Sequence, residues 1–185
     1  MLKTIARSLL SLLGWTLIEP PNRPARAVVV AYPHTSNWDA LYAQLGNLGL
    51  GLQAHWVAKD GLFRWPFGGL LRWLGGIPVD RRAANGFVGQ MVAKFAEQPK
   101  LLLVLAPEGT RKLTAGWKSG FYRIALEASV PVALTTVDYA RREVGIVAFL
   151  ELSGDRQADI AAIAAHYAGR QGRNPALASP IRWLD

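Results

Sequence analysis

The run Lys100-Leu-Leu-Leu-Val-Leu-Ala106 constrains the fold of this chain more than any other segment. A strand with one face in water alternates apolar and polar residues, whereas a strand apolar throughout is buried on both faces. Such a strand belongs to the interior of a parallel sheet covered by helices on both sides. Other segments fit the same architecture. Strands are predicted at Ala27–Tyr32, Ala54–Ala58, Gly76–Val79, Leu101–Ala106, Val132–Val137 and Val144–Leu150. Helices are predicted near Trp38–Leu48, Leu62–Leu74, Asn85–Ala96, Gly120–Ser129 and Asp155–Ala168, and Gly169–Asp185 reads as a tail pinned by Ile181, Trp183 and Leu184. The expected class is α/β: a central, mostly parallel sheet flanked by helices, preceded by an apolar N-terminal helix. At 185 residues the chain suits one core, with no linker or repeat to divide it.

Pro33-His34-Thr35-Ser36-Asn37-Trp38-Asp39 follows the first strand and sets an imidazole five positions before a carboxylate. A histidine acts as a general base near its neutral form, and a carboxylate fixes its tautomer and stabilises the imidazolium. On one helix, residues five apart point about 140° away from each other. His34 and Asp39 therefore meet only if His34 lies in the loop and Asp39 in the first turn of the helix, with Ser36 as N-cap. A plainer reading uses the same residues as a capping box, with Asp39 accepting from a backbone N–H. A second cluster, Pro107-Glu108-Gly109-Thr110-Arg111-Lys112, turns the end of the apolar strand through a glycine into cations. Its backbone N–H groups, hydroxyl and guanidinium suit a phosphate, and an ordinary polar turn is the alternative. Gly75-Gly76-Ile77-Pro78-Val79-Asp80-Arg81-Arg82 repeats the pattern of glycines, short strand and arginines.

In order and spacing, these blocks resemble the glycerolipid acyltransferase family, which includes the glycerol-3-phosphate and lysophosphatidate acyltransferases. The family's H-x-x-x-x-D is met by His34 and Asp39, its glycine-to-arginine block by Gly76 to Arg81, and its P-E-G-T-R by Pro107 to Arg111. Trp117-Lys118-Ser119-Gly120 matches F-K-x-G with tryptophan for phenylalanine, and Val130-Pro131-Val132 the final V-P-V. Pro33 stands where many members carry asparagine or arginine, and Pro78 where phenylalanine or isoleucine is usual. The resemblance covers about Val28 to Val137. It implies acyl transfer from a thioester, acyl-CoA or acyl carrier protein, to a hydroxyl of a lysophospholipid or glycerol phosphate such as 1-acyl-sn-glycerol-3-phosphate. His34 would be the base and Asp39 its partner, with no acyl-enzyme. Arg81, Glu108, Gly109, Thr110, Arg111 and Lys118 would hold the acceptor's polar head. No cofactor beyond the thioester co-substrate and no metal is implied, and the domain would run over residues 21–185.

Composition narrows the partners. Net charge +8, pI about 10.2 and seven tryptophans call for an anionic partner and an interface apolar on one side and wet on the other. The arginines adjoin glycine turns rather than forming a dense basic run, which favours an anionic membrane over nucleic acid. The chain has no cysteine and no G-x-S-x-G, which removes the usual thiol and elbow-serine nucleophiles. His55 and His166 lack the spaced partners of a metal site.

Leu2 to Ile18 is largely apolar, stops at Pro20-Pro21, and is short for a span of about 20 residues. Residues 1–20 read as a membrane-associating helix lying in the interface, with a docked helix or a signal peptide as alternatives. Peripheral or monotopic attachment at the cytoplasmic face of the inner membrane follows from that reading and the resemblance. Phe63, Trp65, Phe67 and Trp73 within Gly61–Leu74 are candidates for membrane contact or an acyl-chain groove. Two further functions fit the residues: a non-catalytic basic module for anionic head groups, and a thioester hydrolase in which water replaces the acceptor.

Overall fold

The computed structural model describes residues 1–79 and 86–184, apart from the side chains of residues 58, 59 and 62. In chain order the elements are α1 (Leu2–Leu12), β1 (Thr16–Ile18), β2 (Arg26–Ala31), α2 (Trp38–Leu50), β3 (His55–Lys59), α3 (Gly68–Trp73), β4 (Gly76–Val79), α4 (Gly86–Glu97), β5 (Leu101–Leu105), α5 (Gly120–Glu127), β6 (Val132–Asp138), β7 (Glu143–Leu150) and α6 (Arg156–Tyr167). The strands form one seven-stranded sheet in the order β1-β7-β6-β2-β5-β3-β4, parallel except for the β6–β7 pair. The fold class expected from the apolar strands is the one observed.

β2 and β5 occupy the middle, paired in parallel from Arg26 with Leu101 to Val30 with Leu105. Their alternate residues feed opposite faces. Val28, Val30, Leu101, Leu103 and Leu105 join Met91 and Phe95 of α4, Phe121 and Ile124 of α5 and Ile163 of α6 in the larger core. Ala27, Val29 and Leu102 face the other way, towards Ala54 and Ile146. On that second face α1 and α2 pack near β1, β6 and β7, with Leu10, Trp15, Val137 and Val144 buried between them. The spaced glycines of α2 serve this contact. A Cβ on Gly49 would fall 2.8 Å from the Leu17 side chain, and one on Gly46 would fall 3.0 Å from Val144.

Two expectations fail at the edges. The N-terminal helix does not reach Ile18: it ends at Leu12, Gly14 turns the chain with φ 74°, and Thr16–Ile18 becomes an edge strand parallel to β7. Hydropathy cannot separate these states, because Trp15, Leu17 and Ile18 are apolar in either, and tertiary pairing decides. The single helix over Leu62–Leu74 is also absent. A 3-10 turn at Asp60–Phe63 is separated from α3 by Trp65-Pro66, since proline offers no N–H and disfavours helical backbone in the residue before it. Gly68 restarts the helix so close to Phe63 that a Cβ there would lie 2.0 Å from the Phe63 carbonyl oxygen.

The edge strand makes a sharp test of the sheet. Gly145 faces Ile18 in the β1–β7 register with φ 142°, and a Cβ on it would fall 2.0 Å from the Ile18 carbonyl oxygen. Gly145→Ala is expected to lower unfolding free energy by about 2–3 kcal/mol, read by urea denaturation. Amide exchange should quicken in β1.

Candidate active site

Because β2 and β5 are parallel neighbours, the loops that leave them emerge side by side at one edge of the sheet. From β2 the chain moves towards β3 through α2 on one face; from β5 it moves back to β6 through α5 on the other. Ligands of open α/β sheets bind at such a reversal, outside the carboxyl ends of the strands. The loop from Tyr32 to Asn37 and the loop from Ala106 to Lys112 meet there.

His34 lies in the first loop and Asp39 in the first turn of α2, with His34 Nδ1 3.6 Å from Asp39 Oδ2. This is an ion-pair distance, longer than a formed hydrogen bond, and such contacts commonly tighten when substrate binds. With Nδ1 turned to the carboxylate, Nε2 is the nitrogen left to act on a substrate. Asp39 is 3% exposed and densely partnered. Its Oδ2 accepts from the backbone N–H of Thr35 (2.7 Å) and Ser36 (2.8 Å), and its Oδ1 from the Tyr139 hydroxyl (3.0 Å). The capping and catalytic readings of Asp39 are therefore compatible, since one carboxylate serves the loop backbone and the imidazole together. The N-cap position itself falls on Asn37 rather than Ser36, whose hydroxyl accepts from Trp38 N–H at 3.2 Å. Burial alone would raise the Asp39 pKa, but interactions with His34, Ser36, Thr35 and Tyr139 hold it below its ordinary 3.8. Burial and the same carboxylate push the Tyr139 phenol well above 10.0, which keeps it a neutral donor.

Glu108 has a different place from the one expected. It is 1% exposed, and both its oxygens are used by backbone: Oε2 accepts from His34 N–H and Oε1 from Ser179 N–H, each at 2.8 Å. It clamps the His34 loop instead of facing an acceptor's hydroxyl or fixing an arginine. Gly109, Thr110, Arg111 and Lys118 do come together with His34, lining one cleft of about 830 Å³, to which Lys112 adds another cation. Gly109 has φ 67°, and a Cβ on it would lie 3.2 Å from Lys118 Nζ, so the ammonium sits over the glycine turn. Arg81 lies outside the described residues.

The cleft is also lined by the apolar residues Val57, Val79, Phe87, Val104, Leu105 and Phe121. None of these six was a site candidate by residue type. Their signal is position, within β3, β4 and β5 or in the first turns of α4 and α5. The aromatic candidates lie elsewhere. Phe63 is buried against Trp56 and under the Arg72 guanidinium, 5.4 Å from its ring centre. Trp65 (93% exposed), Phe67 and Trp73 (74% exposed) stand on the surface, outside the cleft lining. Their exposure suits contact with an apolar surface and not an acyl groove.

Two substitutions test this wiring. Asp39→Asn removes a carboxylate whose depressed pKa favours the folded state when ionised. The stability gap between wild type and variant is expected to be full above about pH 4 and to close as pH falls below that through the folded-state pKa, read by chemical denaturation across pH. Glu108→Gln must turn an NH₂ group towards one of two backbone N–H donors. It is expected to cost about 1–3 kcal/mol, measured by thermal and urea unfolding.

The sequence profile of the family described as Acyltransferase matches residues 16–137, about two thirds of the chain. No curated protein matches. Among solved structures, the 1-acyl-sn-glycerophosphate (LPA) acyltransferase PlsC from Thermotoga maritima superposes with a TM-score of 0.57 at 17% identity, over 89% of this chain and 74% of that one. The likeness extends to the fold. With the matched segment spanning β1 to β6 and holding both loops of the cleft, the chain belongs to the Acyltransferase family.

Proposed function

We propose that the protein moves a fatty acyl chain from an acyl thioester, acyl-CoA or acyl carrier protein, to a hydroxyl of a lysophospholipid or glycerol phosphate, 1-acyl-sn-glycerol-3-phosphate being the model acceptor. One observation carries the reading: His34, backed by buried Asp39, stands in a cleft lined both by the cations Arg111, Lys112 and Lys118 and by apolar side chains. A phosphate suits the first and an acyl chain the second. His34 Nε2 takes the acceptor's hydroxyl proton, and the oxygen attacks the thioester carbonyl carbon. The tetrahedral adduct then expels the thiolate, to which the imidazolium returns the proton. Asp39 stabilises the imidazolium between these steps. The acyl group never resides on the protein, in keeping with a chain without cysteine or an elbow serine.

A lysophospholipid acceptor resides at a membrane, and the surface suits one. Among the described residues no helix is long and apolar enough to cross a bilayer. α1 buries Ala6 and Leu10 and exposes Leu2, Ile5, Leu9 and Leu12 along one stripe, as an interfacial helix does. Trp65, Phe67 and Trp73 add a second exposed apolar group. Peripheral attachment through these surfaces fits the reading.

Acyl transfer from a labelled long-chain thioester to a panel of lysolipids tests it. Wild type is expected to acylate one acceptor class, and His34→Ala to lose about 10²- to 10⁴-fold in rate with an unchanged melting temperature. Full activity in the variant defeats the mechanism. Release of free fatty acid without acylated product makes the protein a thioester hydrolase, and binding without turnover makes it a head-group module.

A further inference from the structure

Residues 171–184 follow α6 and return to the loops that build the site, beyond the segment matched by the family profile. They touch both loops of the cleft. Asn174 gives its side-chain N–H₂ to the Thr35 carbonyl at 3.0 Å and its backbone N–H to Thr35 Oγ1 at 3.1 Å. Ser179 gives its N–H to Glu108, which in turn accepts from His34 N–H. The base is thus flanked on both sides: its own N–H is held through Glu108, and the next residue's carbonyl and hydroxyl are held by Asn174. Asn174 spends its side chain on this contact although it stands at the N-cap of the 3-10 turn Pro175–Leu177, where it makes no cap. Gly172 independently marks the closeness. A Cβ there would fall 2.5 Å from Thr35 Oγ1 and 3.0 Å from Thr35 Cγ2.

We infer that this segment is a strap that fixes the catalytic loop, with Asn174 as a positioning residue for His34. The inference rests on His34 being the base. Thr35 is the residue through which it acts, because the Thr35 N–H also donates to Asp39 Oδ2. The Thr35–Ser36 peptide is held by Asp39 through its Ser36 N–H and by Asn174 through its Thr35 carbonyl. Releasing the carbonyl lets His34 drift relative to Asp39 while leaving the cleft's cations and apolar wall in place. Chemistry then suffers and binding does not, since a displacement of about 1 Å from productive geometry costs on the order of 100-fold in rate.

Asn174→Asp and Gly172→Ala test the strap in the full chain. The first keeps the shape but sets a carboxylate oxygen against the Thr35 carbonyl; the second pushes the strap off Thr35 with its hydrogen-bonding groups unchanged. Each is expected to lower kcat about 10- to 100-fold with KM for donor and acceptor within about twofold. Amide exchange at Thr35 and Ser36 should quicken while β5 stays protected. Unchanged kcat and exchange in both variants overturns the proposal, as does a loss of kcat accompanied by equally faster exchange in β5. If wild type transfers no acyl group to any acceptor, the functional reading falls separately. Exchange then judges the strap by itself: quickening at Thr35 and Ser36 supports it, and no change overturns it.

Discussion

The parallel pairing of β2 with β5 is the constraint on which the site depends. Neighbouring parallel strands send their loops out at the same edge, so His34 and Glu108, 74 residues apart in sequence, come within one hydrogen bond. A one-residue slip in that register would turn the side chains of the slipped strand to the opposite core and carry Glu108 away from His34 N–H. The register is defended by two-sided burial. Val28, Val30, Leu103 and Leu105 face α4, α5 and α6, while Val29 and Leu102 fill the opposite layer.

Buried carboxylates then convert the sheet's placement into side-chain geometry. An ionised group out of water is tolerable only with partners for its lone pairs. Asp39 has two backbone N–H groups, a phenol and an imidazole; Glu108 has two backbone N–H groups from distant segments. Each acid needs the loops where they are, and the loops are held by the acids. The cationic groups of the cleft are exposed, and among the described residues that line the cleft there is no carboxylate. The division is between a buried acidic frame that orders the His34 loop and an exposed set of cations lining the cleft.

Much of this was legible in the sequence, for identifiable reasons. Strands buried on both faces announce themselves by composition, and β4, β5, β6 and β7 fall within one or two residues of expectation. His34 and Asp39 could be placed because a helix start leaves them only one way to meet. The role of Glu108 could not be read, because its partners are main-chain N–H groups, which every residue offers. Asn174 was invisible for the same reason: its partner is the peptide of Thr35. The end of α1 and the break before α3 are not legible in hydropathy, because apolar content persists while the backbone changes state, at Gly14 and Pro66. The aromatic residues near α3 drew attention by type, yet the cleft wall is made of valines, a leucine and two phenylalanines chosen by position.

The bonds that frame His34 close loops of 71, 74, 100 and 139 residues, through Ser179 to Glu108, Glu108 to His34, Tyr139 to Asp39 and Asn174 to Thr35. Contacts of such long sequence separation are the last to be repaid during folding, because the chain entropy of closing them is lost before the contacts exist. A partly folded molecule with only β2, β5 and α2 in place would hold His34 through Glu108 and Asp39 but lack the restraints from Tyr139, Asn174 and Ser179. Full restraint of the imidazole is thereby tied to completion of the topology, because its last partners lie in the chain beyond β6.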